Sequence, residues 1–307
     1  MIHRFTALAI LTFVVTFAGC EQSVGSGYKW RAEDYFKDRS TIEFCIAIEA
    51  GDLSKVKTLL SSDVNVNDYG TDGMTPLLWA LAKGNDELFQ LLLDAGADPT
   101  VPSTGDFGTR GELPAGWPVA HLAAIGKDEE KFRAILKSGI DPNLTCEDRG
   151  SDKSLMDVVI ESYDEWTLDR PKSLQNKYAR VKELLELKPN QRVLDRAAAT
   201  AVGYENFDTA LMLFQSGANY RTPYGQWGNR IHHVAKRRVD ARSHSHDGYV
   251  KLVAWLESKG EDVAAARADW ERWQADIGFD PDAAAARRKA ELRLRAKKEG
   301  TTVNFDE

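Results

Sequence analysis

Short amphipathic segments, separated by polar turns, follow one another along most of this chain of 307 residues. In the clearest of them Phe89, Leu92 and Leu93 lie three and four positions apart, a spacing that gives a helix one buried stripe. The segment before it begins with Thr75, which can cap a helix, and Pro76, which loses no intrahelical hydrogen bond at a first helical position. The pattern therefore predicts two short helices packed against each other.

These two helices belong to residues 72–100, whose sequence DGMTPLLWALAKGNDELFQLLLDAGADPT resembles an ankyrin repeat over its whole length. Gly84 ends the first helix, and Gly96 stands where a left-handed residue closes the unit. Ankyrin repeats are about 33 residues long, and the matching residue of the preceding unit, Asp63, lies 33 positions before Gly96. The same alignment gives the later closing residues, which are Gly139, Gly217 and Gly260.

Five clear repeats and one degenerate repeat are therefore predicted over residues 41–260. The resemblance implies an all-α fold, an ankyrin-repeat solenoid of helix-turn-helix units with short hairpin-like connections. Helical caps are expected because such an array has to cover its terminal apolar faces. Residues 28–39 are predicted as a capping helix within a tether and cap over residues 20–40, and residues 261–307 as a capping helix followed by a basic tail.

The tail has two interpretations. Residues 283–300 carry seven basic and two acidic side chains but almost no apolar face. They form either a solvated terminal helix or a contact with anionic membrane headgroups or with the acidic remainder of the protein.

The N-terminus has the pattern of an export signal. Arg4 precedes an apolar run over residues 5–18, which is shorter than the about 20 residues that a membrane-spanning helix needs. Phe-Ala-Gly-Cys at residues 17–20 resembles the lipobox of bacterial lipoproteins, which implies removal of residues 1–19 and acylation of Cys20. The alternative is an ordinary secretory signal with an incidental cysteine. Glu21, where aspartate would resemble an inner-membrane retention signal, favours the outer membrane.

Composition narrows the functional classes. The formal net charge is −7, and removal of the signal also removes Arg4, which makes it −8. Because nucleic-acid-binding proteins carry basic surfaces, this acidic balance does not favour a nucleic-acid partner. Beyond Cys20 the chain has two cysteines, Cys45 and Cys146, which is too few for a disulfide framework. Stability is therefore expected to come from packing.

The sequence offers few candidates for catalysis. His121 and His232 occupy the histidine position of the repeat, where the resemblance implies a structural hydrogen bond. His244, His246 and Asp247 could ligate a metal, but they lie in a loop-like insertion without a second cluster and are interpreted as an exposed polar turn. The sequence contains neither a phosphate-binding glycine loop nor a G-x-S-x-G elbow. A non-enzymatic protein without metal or cofactor is predicted.

Repeat arrays bind partners through an extended surface of helices and connection tips. Aromatic and arginine side chains supply most binding energy at such surfaces. Trp117 and Trp227 could instead fold onto their own repeats, and Trp79 is as consistent with the core as with a contact. The candidate partner-binding residues are Tyr69, Asp72, Phe107, Arg110, Trp117, Tyr220, Arg221, Tyr224 and Trp227.

Together these features predict a lipid-anchored, periplasm-facing protein that binds another protein, without nucleic acid or a small-molecule substrate. The most concrete hypothesis is an immunity or inhibitor protein that neutralises a secreted antibacterial effector such as a phospholipase. An alternative is a scaffold or chaperone-like protein that supports an envelope stress enzyme such as a catalase. A third is a metal-dependent envelope enzyme that uses His244 and His246.

Overall fold

The computed structural model describes residues 30–105, 107, 115–126, 128–148, 150–162, 170–221, 230–237 and 239–276. The chain divides into two compact units, Met1–Ser138 and Gly139–Glu307. The predicted signal and Cys20 lie outside the described residues, as do Arg110, Tyr224, Trp227 and the basic tail. Among the helices that the structure describes, none is both long enough and apolar enough to cross a bilayer.

The first unit consists of a short N-terminal helix and three helix pairs. The first helices of the pairs, α2, α4 and α6, stack on one another in chain order, and α5 packs against α7. The helices are α1 (Ala32–Tyr35), α2 (Arg39–Glu49), α3 (Leu53–Leu60), α4 (Pro76–Lys83), α5 (Asp86–Asp94), α6 (Val119–Ile125) and α7 (Glu129–Lys137).

The second unit begins with a two-stranded antiparallel hairpin, which the all-helical prediction did not include; β1 (Thr145–Asp148) pairs with β2 (Ser151–Ser154). Three helix pairs and a terminal helix follow. In them α8, α10, α12 and α14 pack in succession, as do α9, α11 and α13. The helices are α8 (Leu155–Glu161), α9 (Arg170–Glu186), α10 (Gln191–Gly203), α11 (Phe207–Gln215), α12 (Arg230–Ala235), α13 (His246–Ser258) and α14 (Val263–Asp276).

Side-chain caps mark where at least seven of these fourteen helices begin. Thr75 Oγ1 accepts the backbone amide of Leu78 at 3.1 Å, and Pro76 follows at the first position of α4, as the sequence predicts. The N-terminal cap, in contrast, is no single helix over residues 28–39, because Asp38 caps a new helix at Arg39 after α1 has ended. The capping residues are Asp38, Asp52, Thr75, Asn85, Asp128, Ser154 and Asn190.

A left-handed residue, here called the closing residue, ends every helix pair. Its φ is +87° at Gly96, where an added Cβ would meet nothing within 4 Å, so conformation rather than space favours glycine. Lys188, at +57°, closes the degenerate pair α8–α9, for which the sequence had suggested no closing residue. The closing residues are Asp63, Gly96, Gly139, Lys188, Gly217 and Gly260.

One core position tolerates polar side chains. Eight residues before the closing residue stand Leu88 and Leu252, both fully buried. Lys131, at the same position, is 3% exposed; its ammonium donates to the Gly84 carbonyl at 3.2 Å and lies 3.2 Å from the Asp128 carboxylate. A buried cation is thus tolerated at a leucine position because hydrogen bonds and an acid satisfy it.

Thr209 occupies this same core position with 0% exposure, and within the described residues its Oγ1 has no hydrogen-bond partner. We expect Thr209→Val to stabilise the protein by about 1 kcal/mol, because the substitution removes an unsatisfied buried hydroxyl and keeps the shape. Urea denaturation followed by circular dichroism measures the change.

Thr75→Val is the matched control, since it removes a hydroxyl that caps α4 and is expected to cost about 1 kcal/mol. The same Thr→Val substitution should therefore raise the unfolding free energy at position 209 and lower it at position 75. A loss of stability in Thr209→Val would contradict the reading of its hydroxyl as unsatisfied.

Candidate partner-binding surfaces

The tip of the connection between α3 and α4 carries two predicted contact residues, Tyr69 and Asp72. The tyrosine side chain is exposed, at 53% of its residue surface. Asp72 lies in a 3-10 turn with φ +58°, and its carbonyl accepts the amides of Thr104 at 2.8 Å and Gly105 at 2.9 Å. Backbone hydrogen bonds to the next connection therefore hold this tip in place.

Gly73 shows how closely the tip is packed. Its φ is +74°, and a Cβ there would lie 2.7 Å from the Thr104 amide nitrogen and 2.8 Å from the Tyr69 hydroxyl. Any side chain would push the two connections apart. The glycine therefore orients the tyrosine ring as well as shaping the turn.

Phe107, a third predicted contact, is not available to a partner. Its residue is only 6% exposed, and its ring lies edge-on to Trp30 at 5.6 Å and to Tyr35 at 5.7 Å. The N-terminal segment, here residues 30–36, lies with Trp30 and Tyr35 against Trp79 of α4 and covers the Phe107 ring. The prediction of a surface contact is corrected for this residue: Phe107 is part of an aromatic cluster, stabilised by edge-to-face packing.

Trp79 completes this cluster. It is fully buried, with its ring 6.0 Å from Trp30 and 6.3 Å from Tyr35, so the core interpretation of the two is the right one. Lys83 attaches the N-terminal segment to α4, because its ammonium donates to the Trp30 carbonyl at 3.0 Å and to Glu49 at 2.8 Å. Its ammonium also lies over the Trp79 ring, 4.9 Å from the centroid.

Tyr35 lies close to the tip described above. Burial raises the pKa of its hydroxyl, and the negative charges of Asp72 and Asp34 raise it further. A Cβ at Gly70, on the same connection, would lie 2.7 Å from the Tyr35 carbonyl oxygen, so the exposed tip borders the aromatic cluster of the first unit.

Trp117 lies at the base of the insertion before α6. Gly116 donates to the Ser103 carbonyl at 2.7 Å, and Pro102 and Pro118 form an isolated antiparallel bridge, so the two ends of the insertion are joined. The Trp117 ring is half-buried and lies edge-on to the fully buried His121, 6.3 Å away. Of the two predicted roles, packing onto its own repeat agrees with this geometry.

In the second unit, Tyr220 and Arg221 follow the closing residue of α10–α11. Tyr220 packs edge-on against Phe214 at 6.1 Å and Trp255 at 5.4 Å. The Arg221 guanidinium lies over the Tyr220 ring and is hydrogen-bonded to Glu261, which raises its pKa above the usual range. Arg221 is thereby oriented, yet its side chain is 63% exposed.

Tyr220 lines an open depression of about 640 Å³ at the ends of α11 and α13. Trp255 stacks on Phe214 with 6° between the ring planes, and the Lys259 ammonium lies 5.4 Å from the Trp255 centroid. Trp255 and Lys259 are not among the residues predicted from the sequence, because Trp255 lies within α13 and Lys259 at its C-terminal cap rather than at a connection tip. The lining residues are Gln191, Phe214, Gln215, Gly217, Ala218, Asn219, Tyr220, Trp255 and Lys259.

The residues considered for chemistry lie in structural settings. His246 and Asp247 form the first turn of α13 rather than a loop, and His244 precedes it. Within the described part of the chain, no three His, Cys, Asp or Glu side chains are arranged to hold a metal ion. Burial raises the pKa of the Cys146 thiol to about 12 and that of Cys45 further, so both free thiols stay protonated at neutral pH.

The fully buried acid Asp157 also has a structural explanation. Its carboxylate accepts from the Ser154 amide at 3.0 Å and from Thr200 Oγ1 at 2.9 Å, and lies 3.2 Å from Arg196 Nε. These contacts join the start of α8 to α10. A buried carboxylate whose oxygens are taken up by this many partners has a structural role in joining the two helices.

Comparison with known proteins agrees with the helix pairs. The family model "Ankyrin repeats (3 copies)" matches residues 44–146. This part of the chain consists of ankyrin repeats. The crystal structure of the ankyrin repeat domain of Bcl-3, a member of the IkappaB protein family, superposes with a TM-score of 0.50 and 20% identity, over 71% of this chain and 86% of that one. The likeness extends the ankyrin fold over more of the chain than the family model covers.

Curated relatives share only a part of their length with this protein. The chain is 30% identical over 128 residues to "Ankyrin repeat, SAM and basic leucine zipper domain-containing protein 1" of Mus musculus and 31% identical to the protein of that name from Otolemur garnettii. Each match covers 39% of this chain and 25% of the relative. The ankyrin-repeat chain thus spans about a quarter of the length of these relatives.

Two of the predicted contact residues differ in burial, since Phe107 is buried and Tyr69 is exposed. We expect Phe107→Ala to lower the unfolding free energy by about 2–4 kcal/mol, because it leaves a cavity beside Trp30 and Tyr35. Tyr69→Ala, at an exposed position, should change it by less than about 0.5 kcal/mol. Thermal unfolding followed by circular dichroism compares them, and equal losses in both variants would be inconsistent with the different environments of the two rings.

Proposed function

We propose that this protein is a non-enzymatic, lipid-anchored protein of the bacterial envelope that binds another protein through its ankyrin-repeat surface. The observation that carries the proposal is the tip at Tyr69 and Asp72, where a half-exposed aromatic side chain stands on a turn already held by backbone hydrogen bonds. A preformed tip loses little conformational entropy when a partner binds. An exposed tyrosine in such a setting is well suited to be a binding hot spot.

Each of the two units, taken by itself, supplies proposed contact residues. Asp72 accompanies Tyr69 in the first, and Tyr220 and Arg221 contribute in the second, where Arg221 is held by Glu261 and remains exposed. Arg110, Tyr224 and Trp227 are proposed as further contacts on sequence grounds, and they lie outside the described residues. Trp117 is half-buried and packs against His121, so only part of its ring is accessible to a partner.

The anchor is proposed from the lipobox-like residues 17–20. Acyl chains on Cys20 would hold the protein at the membrane, since two or more chains anchor stably where one does not. A flexible tether of about ten residues between Cys20 and Trp30 reaches roughly 18 Å. The repeats would therefore lie close to the bilayer, in the periplasm and on the outer membrane rather than the inner one, in agreement with Glu21.

The specific activity that we propose is that of an immunity or inhibitor protein. An acidic protein tethered at the bilayer could cover the active-site entrance of a membrane-directed effector, such as a secreted antibacterial phospholipase, before the effector reaches lipid. Attraction between the acidic repeats and a basic effector would speed capture. The alternative role, support of an envelope stress enzyme, would use the same surface with a different partner.

Binding of the partner can be tested on the tip. If the product of a neighbouring gene forms a stoichiometric complex with this protein, Tyr69→Ala should raise its dissociation constant at least about tenfold. Tyr178→Ala, another exposed tyrosine, is the control and should change it less than about twofold. Isothermal titration calorimetry measures both.

Deletion of the gene should sensitise cells to that neighbouring product. Unchanged sensitivity would reject the inhibitor role, and a neighbouring stress enzyme that loses activity on deletion would support the scaffold instead.

Anchoring can be tested on the cysteine. Cys20→Ser should abolish acylation and move the protein from the membrane fraction to the soluble periplasmic fraction, because the proposed lipids alone hold it there. Mass spectrometry of the N-terminal peptide and fractionation measure the two effects. Cys45→Ser is the control, since its buried thiol is not accessible for modification. An unacylated wild-type N-terminus would disprove the anchor.

A further inference from the structure

The depression at the ends of α11 and α13 is built from residues that depart from the pattern of the chain's own repeats. Five positions before the closing residue, the other clear repeats have Thr58, Leu91, Ala134 and Met212, whereas the last has Trp255. One position before it they have serine or alanine, and the last repeat has Lys259. The repeat fold therefore requires neither the indole nor the ammonium group at these positions.

The neighbouring repeat departs at the same place. Three positions after the closing residue stand Val66, Pro99 and Pro142 in the earlier repeats, but Tyr220 here. The next position holds Asn67, Thr100 and Asn143 in those repeats, and Arg221 here. Three of these substitutions, Tyr220, Trp255 and Lys259, thus line one depression, with the Tyr220 and Trp255 rings 5.4 Å apart.

Charge at the depression is suited to an anion. The Asp195 carboxylate accepts from Gln191 Nε2 at 2.7 Å and from the Asn219 amide at 2.6 Å, and Glu261 is taken up by Arg221. Lys259 lies over the Trp255 ring and, within the described residues, takes part in no ion pair. Among the described residues that line the depression, Lys259 is the one charged side chain, and it lies beside an aromatic surface.

We propose that this depression binds an acidic segment of a protein partner, with an apolar side chain of the segment against Trp255 and Tyr220 and a carboxylate beside Lys259. The aromatic pair supplies apolar area, and the Lys259 ammonium selects the anion. Glutamine and asparagine side chains on the lining can orient the peptide backbone. The site rests on the proposed function only in that its ligand is a protein.

The probe is a fluorescein-labelled peptide of about ten residues in which glutamate alternates with leucine and phenylalanine. A matched peptide carries glutamine in place of each glutamate. Fluorescence polarisation with the purified full chain should show saturable binding of the acidic peptide, at least about tenfold weaker binding of the glutamine peptide, and weakening with added salt.

The variants restore residues that the chain itself uses elsewhere, so the fold should survive them. Trp255→Leu copies Leu91, and Lys259→Ser copies Ser138. Each should weaken the acidic peptide at least about fivefold while the melting temperature stays within a few degrees of wild type. Lys251→Ser, which removes an exposed lysine of the same helix that pairs with Asp208, is the control and should leave binding unchanged.

Equal affinity for the two peptides, no saturable binding, or unchanged binding in both Trp255→Leu and Lys259→Ser would each overturn the proposal. So would a single-stranded oligonucleotide that binds more tightly than the acidic peptide, or a concentration-dependent dimer that Trp255→Leu abolishes, since these assign the site to other occupants. The Tyr69-dependent complex is measured separately. Loss of that complex with retained peptide binding would reject the proposed function alone, and the reverse would reject this site alone.

Discussion

Within each unit, neighbouring helix pairs are held together by close stacking of their first helices, and small side chains make this approach possible. In the first unit, Ala80 and Ala123 are almost fully buried at such contacts. A Cβ at Gly84 would lie 3.1 Å from a methyl group of Ile48 in the pair before. Where backbones approach this closely, each pair buries the apolar stripe of its neighbour, which no pair could bury alone. The caps and closing residues serve mainly to keep the helices short enough to stack.

Local signals for this stacking were readable from the sequence. Thr75, Pro76 and Gly96 act through the backbone of their own turn, so their roles follow from neighbours in the chain, and the structure has them where the pattern predicts. The sequence did not predict Lys188 as a closing residue, because it is not a glycine and lysine has no preference for the left-handed conformation that it adopts here. Its position is set by the helices it connects.

Contacts between distant segments could not be predicted in this way. Phe107 was assigned to the surface because its connection is long and polar, but Trp30, more than seventy residues earlier, covers it. Trp255 and Lys259 looked like ordinary helix positions, and only their meeting with Tyr220 gives them a common surface. Comparison with the equivalent positions of the other repeats identifies both residues, because a side chain that the fold requires would recur at that position in each repeat.

In the clear repeats the residue before the closing residue is exposed, and in all of them but the last the residues three and four positions after it are exposed or half-buried, so the fold constrains these side chains least. The residue directly after the closing residue is instead buried in several repeats, as Ala97 and Ala218 are. The closing residue itself is selected for conformation, and an added Cβ at Gly96, Gly139 or Gly217 would meet nothing. Within the helices the opposite holds: Lys131 at a leucine position is tolerated only with Gly84 and Asp128 to satisfy it. Substitutions that serve binding therefore cost the least stability beside the closing residues and at the connection tips. Tyr69, Tyr220 and Lys259 all lie in such places, so a partner surface can change there without loss of the stacking beneath it.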